Sequence, residues 1–194
     1  MIIKDKIKLQ EKCSPVSVKE GEEIGVRLLH ELRNSENGIG LAANQIGINR
    51  RVCIINVKEP LVLINPTIVN HSEEKFPFVE SCLSYPNKKI KTERFVSVTV
   101  EADNHEGKLM FSADSNDIND AFECVCVQHE IDHLDGITMF DRKRPSATIK
   151  RKNKKIGRND KVTITKGSES RVIKFKKASP LLEDGWILSE PFLN

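Results

Sequence analysis

The chain has 194 residues, of which 38% are hydrophobic and 30% charged, and its formal net charge is +3. This composition is typical of a globular protein with one main domain and a small appendage. No apolar run approaches about 18 residues and the start lacks a signal-peptide core, so we predict neither a membrane span nor secretion. The five cysteines form no extracellular spacing pattern, which predicts free thiols in the cytoplasm.

The charge is distributed unevenly along the chain. Residues 142–177 hold 15 Lys and Arg against two acids, a net charge of +13, which leaves 16 basic and 26 acidic residues, or −10, elsewhere. A basic segment on an acidic body favours contact of residues 142–177 with a polyanion, such as RNA or the ribosome. A solubilising tail is the alternative interpretation.

The first predicted element is a helix within residues 14–34. Ser17 is placed to cap it, and Glu20, three residues later, completes the pattern of a capping box. Its apolar positions follow helical spacing and are Ile24, Leu28, Leu29 and Leu32. Residues 34–38 end it.

The middle of the chain is rich in strand patterns. Residues 51–57 and 60–69 are β-rich, and residues 95–102 alternate valines with polar residues. A turn at 103–107 leads into 108–113 as a hairpin partner, and a long helix follows over about 117–134. This order predicts an α+β fold, with antiparallel sheets packed around a central helix, whose metal-binding residues are described below.

The chain changes character near residue 145. We therefore predict a catalytic domain over 1–145 and a basic C-terminal extension over 146–194. Within the extension, Lys150–Lys155 is expected to face solvent, and residues 162–165 and 171–175 are expected to form a β-hairpin around Gly167-Ser168. Residues 180–186 are expected to cover the hairpin.

A His-Glu-x-x-His string lies in the predicted central helix. His129 and His133 are four residues apart, so both imidazoles lie on one face and can bind one divalent ion. Glu130 then lies within reach of a water molecule on that ion. The two histidines share a stripe with Phe122 and Cys126, which indicates that they face the interior rather than solvent. The alternative is a pair of histidines on a solvated helix face.

Spacing alone does not choose the third ligand that such a site needs. Metzincin-type proteases use a further downstream histidine, but Met139 occupies that position here. A distant glutamate, as in thermolysin-like enzymes, remains open. Cys126 lies on the helical stripe, although a small buried apolar role suits it better.

Three ordered segments resemble the signature motifs of the peptide deformylase family. They are Gly38–Gln45 (GIGLAANQ), Glu80–Ser84 (ESCLS) and Gln128–His133 (QHEIDH). The resemblance spans roughly residues 9–141. It implies an enzyme that removes the formyl group from the N-terminal methionine of nascent proteins and releases formate.

The resemblance also implies the metal centre. It makes Cys82 the third ligand beside His129 and His133, around one divalent ion per chain. Ferrous iron is the expected native metal, while zinc, nickel or cobalt can occupy purified forms, and a Cys-His-His set is compatible with all four.

The family's mechanism assigns further roles. A metal-bound hydroxide would attack the formyl carbon, and Glu130 would act as general acid and base. Gln45 and the backbone N–H of Leu83 would stabilise the oxyanion.

Substrate contacts follow from the same resemblance. Ile39 and Gly40 match positions that hold the peptide as an added strand. Phe122, Val125 and Cys126 match the pocket for the methionine side chain. Plain core packing is the alternative for each of the three.

The chain departs from the family pattern at two places. Ser81 replaces a glycine of the second motif, which would cost about 1 kcal/mol if that position needed positive φ. Otherwise its hydroxyl lines the peptide groove.

Glu80 and Arg94 match the family's supporting ion pair, with an ordinary surface pair as the alternative. The usual C-terminal helix is not evident, as would suit a divergent or phage-encoded member.

Two other functions stay open at this point. One is a metallopeptidase that uses the same helix to cleave internal peptide bonds. The other is an inactive homologue that binds RNA through residues 142–177. A monomer is expected in each case.

Overall fold

The structure is a computed structural model that describes residues 1–144, 159 and 161–188. The chain divides into two compact units, Met1–Pro145 and Ser146–Asn194. None of the described helices combines the length and hydropathy needed to cross a membrane. The functional division into a catalytic domain and a basic extension stays a prediction.

The first unit contains helices at both ends of a run of strands. In chain order the described elements are α1 (Lys6–Leu9), α2 (Val18–Arg33), β1 (Gly40–Ala42), a 3-10 helix (Ala43–Ile46), β2 (Val52–Asn56), β3 (Pro60–Ile64), β4 (Thr67–His71), β5 (Lys75–Cys82), β6 (Tyr85–Phe95), β7 (Ser97–Glu101), β8 (Leu109–Ser112) and α3 (Ile118–Leu134).

The strands of this unit form three antiparallel sheets. One sheet has the order β1-β2-β3, the second has the order β4-β7-β8, and β5 pairs with β6 in a long hairpin. The predicted combination of helices with antiparallel sheets is therefore confirmed. Because β1 is an edge strand, one side of its backbone is free of sheet pairing.

Helix α2 begins at the cap that the sequence predicts. The Ser17 Oγ accepts a hydrogen bond from the Glu20 N–H at 3.3 Å. The capping box is incomplete, because the Glu20 carboxylate accepts from Arg50 Nε at 3.1 Å. Ile24, Leu28 and Leu32 are buried, and α2 packs on β2 and β3.

Helix α3 runs through the interior of the first unit. Asp117 caps it by accepting from the Asn119 N–H at 2.9 Å, and every residue from Cys124 to Leu134 is buried. The helix packs on β1, β2 and β8. Phe122 differs from the prediction, since 39% of it is exposed, and only the later part of the stripe faces the interior.

Several strands differ from the sequence prediction. The β5–β6 hairpin was not predicted, because much of it is exposed and its polar outer face obscures the alternation. The predicted run 60–69 divides into β3 and β4, where Asn65 has a φ of 51°. The predicted strand 95–102 divides at Val96 between β6 and β7.

The second unit is a small sheet covered by a helix. Its described elements are β9 (Lys161–Lys166), β10 (Glu169–Lys174), α4 (Phe175–Glu183) and β11 (Ile187–Leu188), and the sheet order is β10-β9-β11. Its buried core consists of Val162, Ile164, Ala178 and Trp186. The predicted basic run Lys150–Lys155 lies outside the described residues.

Candidate active site

The structure brings three metal-binding side chains together. Cys82 ends β5, while His129 and His133 lie one turn apart on α3, and all three are buried. One ligand atom from each lies within 4.8 Å of the other two. The Cys82 Sγ and His133 Nε2 are 3.2 Å apart. One sulfur and two imidazole nitrogens are a donor set that suits a catalytic divalent ion.

A buried carboxylate orients His129. The Glu80 Oε2 lies 2.6 Å from His129 Nδ1, so Nδ1 carries the proton and Nε2 is the nitrogen that can bind a cation. Arg94 donates to both oxygens of Glu80, at 2.6 and 2.9 Å. Burial alone would raise the pKa of Glu80, but hydrogen bonds from His129 and Arg94 lower this pKa well below its usual value. Glu80 therefore stays ionised, and its pair with Arg94 is not a surface pair.

The environment of His133 also fits a cation. Burial lowers the pKa of His133 well below its usual value, and the charge of Arg94 acts in the same direction. The ring is therefore neutral, which is the form that binds metals. Its Nδ1 is buried without a hydrogen-bond partner among the described residues, while its Nε2 faces the Cys82 sulfur. This donor set fits a divalent metal ion.

Glu130 is the remaining charged group at the centre. It is buried, and its Oε2 has no hydrogen-bond partner in the described part of the chain. Burial raises the pKa of Glu130 to about 7. A carboxyl group with a pKa near neutrality and an unoccupied oxygen can both accept and release a proton.

The Gln45 amide is held in one orientation. Its Oε1 accepts from the Ala42 N–H at 2.8 Å, and its Nε2 donates to Cys82 Sγ at 3.4 Å and to Ser84 Oγ at 3.1 Å. The donor side of the amide therefore faces the cysteine. The backbone N–H of Leu83 donates no hydrogen bond to any described residue, so a substrate oxygen can use it.

These groups lie along a cleft of about 680 Å³. One wall is formed by residues 36–40 and the other by residues 78–83 and 85–87, and the base comes from α3. Apolar side chains and a few polar groups line it together, as is usual for a small-molecule or peptide site.

The family follows from comparison with known proteins. Residues 1–166 match the family model described as polypeptide deformylase. The chain belongs to this family. Its members remove the N-formyl group from nascent peptides and depend on a metal, so the predictions of family and enzyme class are confirmed.

Individual deformylases are similar over more than half of the chain. The chain is 38% identical to the peptide deformylase of Desulforudis audaxviator over 143 residues, which are 73% of this chain and 86% of that protein. It is 42% identical to that of Natranaerobius thermophilus over 124 residues, or 62% and 75% of the two chains.

Solved deformylase structures share the fold. The crystal structure of peptide deformylase from Thermotoga maritima has a TM-score of 0.63 at 27% identity. The match covers 71% of this chain and 92% of the Thermotoga chain. A probable peptide deformylase from synechococcus phage S-SSM7 has a TM-score of 0.62 at 32% identity, with coverages of 73% and 98%.

Most residues of the three deformylase motifs meet at the cleft. Of the predicted site residues, all line it except His133, which lies beneath the surface, and Arg94, which lies behind Glu80. The predicted residues that line it are Ile39, Gly40, Gln45, Glu80, Ser81, Cys82, Leu83, Phe122, Val125, Cys126, His129 and Glu130.

Ser81 occupies its deformylase motif position without backbone strain. Positive φ values at non-glycine residues of the described chain occur only at Asn37, Asn65 and Asn87. Ser81 is exposed in the cleft, beside an irregularity in the β5–β6 pairing between Glu80 and Cys82. The strain expected for a glycine replacement is therefore absent.

Sequence reasoning missed some residues of this deformylase cleft. Phe78 lines it and contacts Phe122 edge to face at 5.3 Å, and Tyr85 lines it on the far side of the β5–β6 turn. The alternation of Phe78 with Glu80 and Cys82 along one strand could have revealed Phe78. The position of Tyr85 depends on the turn at Leu83-Ser84, which no sequence pattern predicted.

Proposed function

We propose that this chain deformylates N-formylmethionyl peptides with a divalent metal held by Cys82, His129 and His133 on the central helix α3 and the end of β5. The observation that carries the proposal is the convergence of these ligand atoms beside the unpartnered carboxyl of Glu130. When bound, the metal would supply Lewis acidity and lower the pKa of water. Iron(II) is the proposed native ion, and zinc, nickel or cobalt suit the same donors.

Glu130 is the proposed proton carrier. Its Oε2 accepts the proton of the attacking water as the formyl C–N bond is hydrolysed. The same carboxyl then protonates the departing amine, so that formate and a free N-terminal amino group are the products. Burial supports this role, since it raises the pKa of Glu130 to about 7 and lets the group work in both directions near neutrality.

Two donors are proposed to bind the oxyanion that forms on the formyl oxygen. They are the Gln45 amide, whose NH2 faces Cys82, and the available N–H of Leu83. One donor of this kind contributes about 3–4 kcal/mol to the transition state.

The substrate backbone is proposed to add to the free edge of β1. Ile39 and Gly40 lie at this edge on one wall of the cleft. Phe122, Val125 and Cys126 would surround the methionine side chain at the base. Ser81 lies on the opposite wall, where its hydroxyl can bind a peptide group beyond the first residue.

Formate release from formyl-Met-Ala-Ser tests the function. The protein is loaded with metal under anaerobic conditions, and Glu130→Gln is expected to lower kcat by about 10²–10⁴-fold without loss of metal. Glu123→Gln is the matched control, because it makes the same change on α3 in a residue that pairs with Lys58. An unchanged rate in Glu130→Gln contradicts the proton role.

The metallopeptidase alternative is tested by the same preparation. Cys82→Ala is expected to abolish both metal binding and formate release. Cleavage of internal bonds in an unformylated peptide, insensitive to Cys82→Ala, would favour the peptidase instead.

The proposed enzyme is a cytoplasmic monomer. All five cysteines are buried free thiols, as suits a reducing compartment. Every group of the proposed site comes from a single chain, so no partner subunit is needed. Light scattering at assay concentrations tests the monomer.

The basic extension is proposed to contact RNA. In its described part, Lys166 is paired with Asp184, and Arg171 is paired with Glu169. These two cations are therefore already neutralised within the unit.

Four other lysines of the extension support this contact. Lys161 and Lys174 are directly opposite each other on β9 and β10, and Lys176 and Lys177 follow. All four are exposed, and none forms an ion pair with another described residue. Like charges directly opposite each other on paired strands destabilise a hairpin. A bound polyanion would relieve the repulsion between these lysines.

Salt dependence distinguishes RNA binding from a solubilising role. For a single-stranded RNA, the Lys161→Gln/Lys174→Gln variant is expected to reduce the slope of log K against log salt by about 1.4. Lys88→Gln/Lys89→Gln removes the same charge from exposed positions of β6 and should leave the slope unchanged. Equal effects of both pairs would favour the solubilising tail.

A further inference from the structure

A chain of ion pairs extends from the proposed metal centre to a residue outside the deformylase motifs. Asp132 is buried on α3, directly before His133, and its carboxylate has two arginine partners. Arg94 Nη1 donates to Asp132 Oδ2 at 2.5 Å. Arg142 donates from Nε to Oδ2 at 3.0 Å and from Nη2 to Oδ1 at 2.7 Å.

The other side of Arg94 serves the metal ligand. Its Nε and Nη2 bind the two oxygens of Glu80, and Glu80 binds His129 Nδ1. The order of contacts is therefore Arg142, Asp132, Arg94, Glu80 and His129. Each contact is a charge-assisted hydrogen bond of 3.0 Å or less, and such bonds fix geometry as well as contribute energy.

The charges in this series of ion pairs balance only when Arg142 is included. Glu80 and Asp132 supply two buried carboxylates, and Arg94 alone would have to neutralise both. Buried charges without a full partner are costly, so the carboxylates would compete for the single guanidinium. Arg142 satisfies Asp132 from the other side, which leaves two of the three donor positions of Arg94 for Glu80.

The segment that carries Arg142 is itself fixed. Its backbone oxygen accepts from the Glu93 N–H at 3.2 Å, Lys143 bridges to Thr92, and the Arg144 N–H donates to the Lys91 oxygen at 2.9 Å. These contacts attach the segment to β6, the strand that also carries Arg94. Both arginines are therefore positioned from one strand.

We propose that Arg142 and Asp132 are positioning residues for the metal centre, acting through Arg94 and Glu80 on the orientation of His129. This inference rests on the proposed function. It also assigns Arg142 to the catalytic unit, although its sequence position places it at the start of the basic segment 142–177. About 41% of its side chain is exposed, so substitution does not open the core.

Cobalt binding tests the proposal independently of turnover. Thiolate-to-cobalt absorption reports a Cys82-bound ion, and transfer of cobalt to a chelator gives its affinity. Arg142→Ala is expected to weaken cobalt binding by about 10–100-fold, the range for loss of a group that orients a metal ligand. Arg142→Lys retains the charge and should recover part of the loss. The kcat for formate release should fall while KM stays within twofold.

Arg144→Ala is the matched control. Arg144 lies in the same segment with similar exposure, but it pairs with Glu93 on the surface and not with Asp132. Its cobalt affinity should stay within twofold of the parent protein. Thermal unfolding of the metal-free forms checks that Arg142→Ala and Arg144→Ala are folded.

The outcomes separate this proposal from the proposed function. If Arg142→Ala binds cobalt within twofold of the parent while Cys82→Ala loses it, the positioning role is wrong and the metal site stands. If the parent protein shows no thiolate-to-cobalt absorption, the proposed site itself is wrong. Asp132→Asn should behave like Arg142→Ala, and tight cobalt binding by Asp132→Asn would also overturn the positioning role.

Discussion

Gly40→Ala, which adds one carbon atom, is expected to lower activity by much more than its effect on stability explains. This glycine lies on β1 opposite α3, and its φ is not positive, so alanine meets no backbone strain there. A Cβ at residue 40 would lie 2.5 Å from both Cys126 Sγ and Glu130 Oε1. Something must therefore move, and one of the two neighbours is the proposed proton carrier.

The expected size of the effect follows from this distance. Restoring an ordinary contact of 3.4 Å requires a retreat of about 0.9 Å by each neighbour. A misplacement of about 1 Å can lower the rate about 100-fold, which is about 2.7 kcal/mol in the barrier. Overpacking should also cost about 1–3 kcal/mol of folding stability. We therefore expect Gly40→Ala to lower kcat/KM by about two orders of magnitude.

Gly25→Ala provides the matched control. A Cβ there would lie 2.7 Å from a Val62 methyl group, in the contact between α2 and β3, far in sequence from the proposed ligands. Both variants should show a similar loss of stability in urea unfolding, but only Gly40→Ala should lose activity against formyl-Met-Ala-Ser. The reasoning fails if Gly40→Ala is folded, binds metal and keeps kcat/KM within threefold of the parent.

Three further predictions concern single residues. In the metal-free protein, burial raises the pKa of Glu130 to about 7, so folding disfavours its ionised form. The unfolding free energy of the parent, compared with that of Glu130→Gln, should therefore fall by about 3 kcal/mol as pH rises from about 4.5 to about 7. A difference between the two proteins that stays constant with pH would contradict this prediction. Ser81→Gly relieves no strain and adds backbone freedom to the unfolded chain, so it should lower the unfolding free energy by about 0.5–1 kcal/mol; a gain in stability would indicate hidden strain. Ser17→Ala removes the cap of α2 and should cost about 1 kcal/mol in urea unfolding; no loss would mean that water replaces the cap.

Local patterns were sufficient to predict the two long helices. The caps at Ser17 and the apolar spacing of Ile24, Leu28 and Leu32 fixed α2 to within a few residues. The bounds of α3 were predicted equally well, and the His129–His133 spacing already implied that both rings share a face. These features depend on neighbours in sequence, which is why they can be read without the fold.

The third ligand could not be derived in the same way. Cys82 lies 47 residues before His129 and reaches it only because β5 and β6 form a hairpin beside α3. Periodicity within either segment carries no information about that approach, so only the family resemblance named Cys82. The partnership of Asp132 with Arg142 was missed for the same reason, since it depends on how residues 142–144 attach to β6.

The distribution of satisfied and unsatisfied polar groups on α3 explains why this helix suits a catalytic centre. It buries Gln128, His129, Glu130, Asp132 and His133 within two turns, an unfavourable choice for a helix that only packs. Most of these groups have hydrogen-bond partners: the Phe95 N–H donates to Gln128, Arg94 and Arg142 donate to Asp132, and Glu80 accepts from His129. The buried atoms left without partners in the described part of the helix are Glu130 Oε2 and His133 Nδ1. Of these two atoms, Glu130 Oε2 is where a proton is proposed to act, whereas His133 Nδ1 belongs to the ring whose other nitrogen faces Cys82. Most of the buried polar groups of the helix are thus held by fixed partners, which is the arrangement that a preorganised site requires.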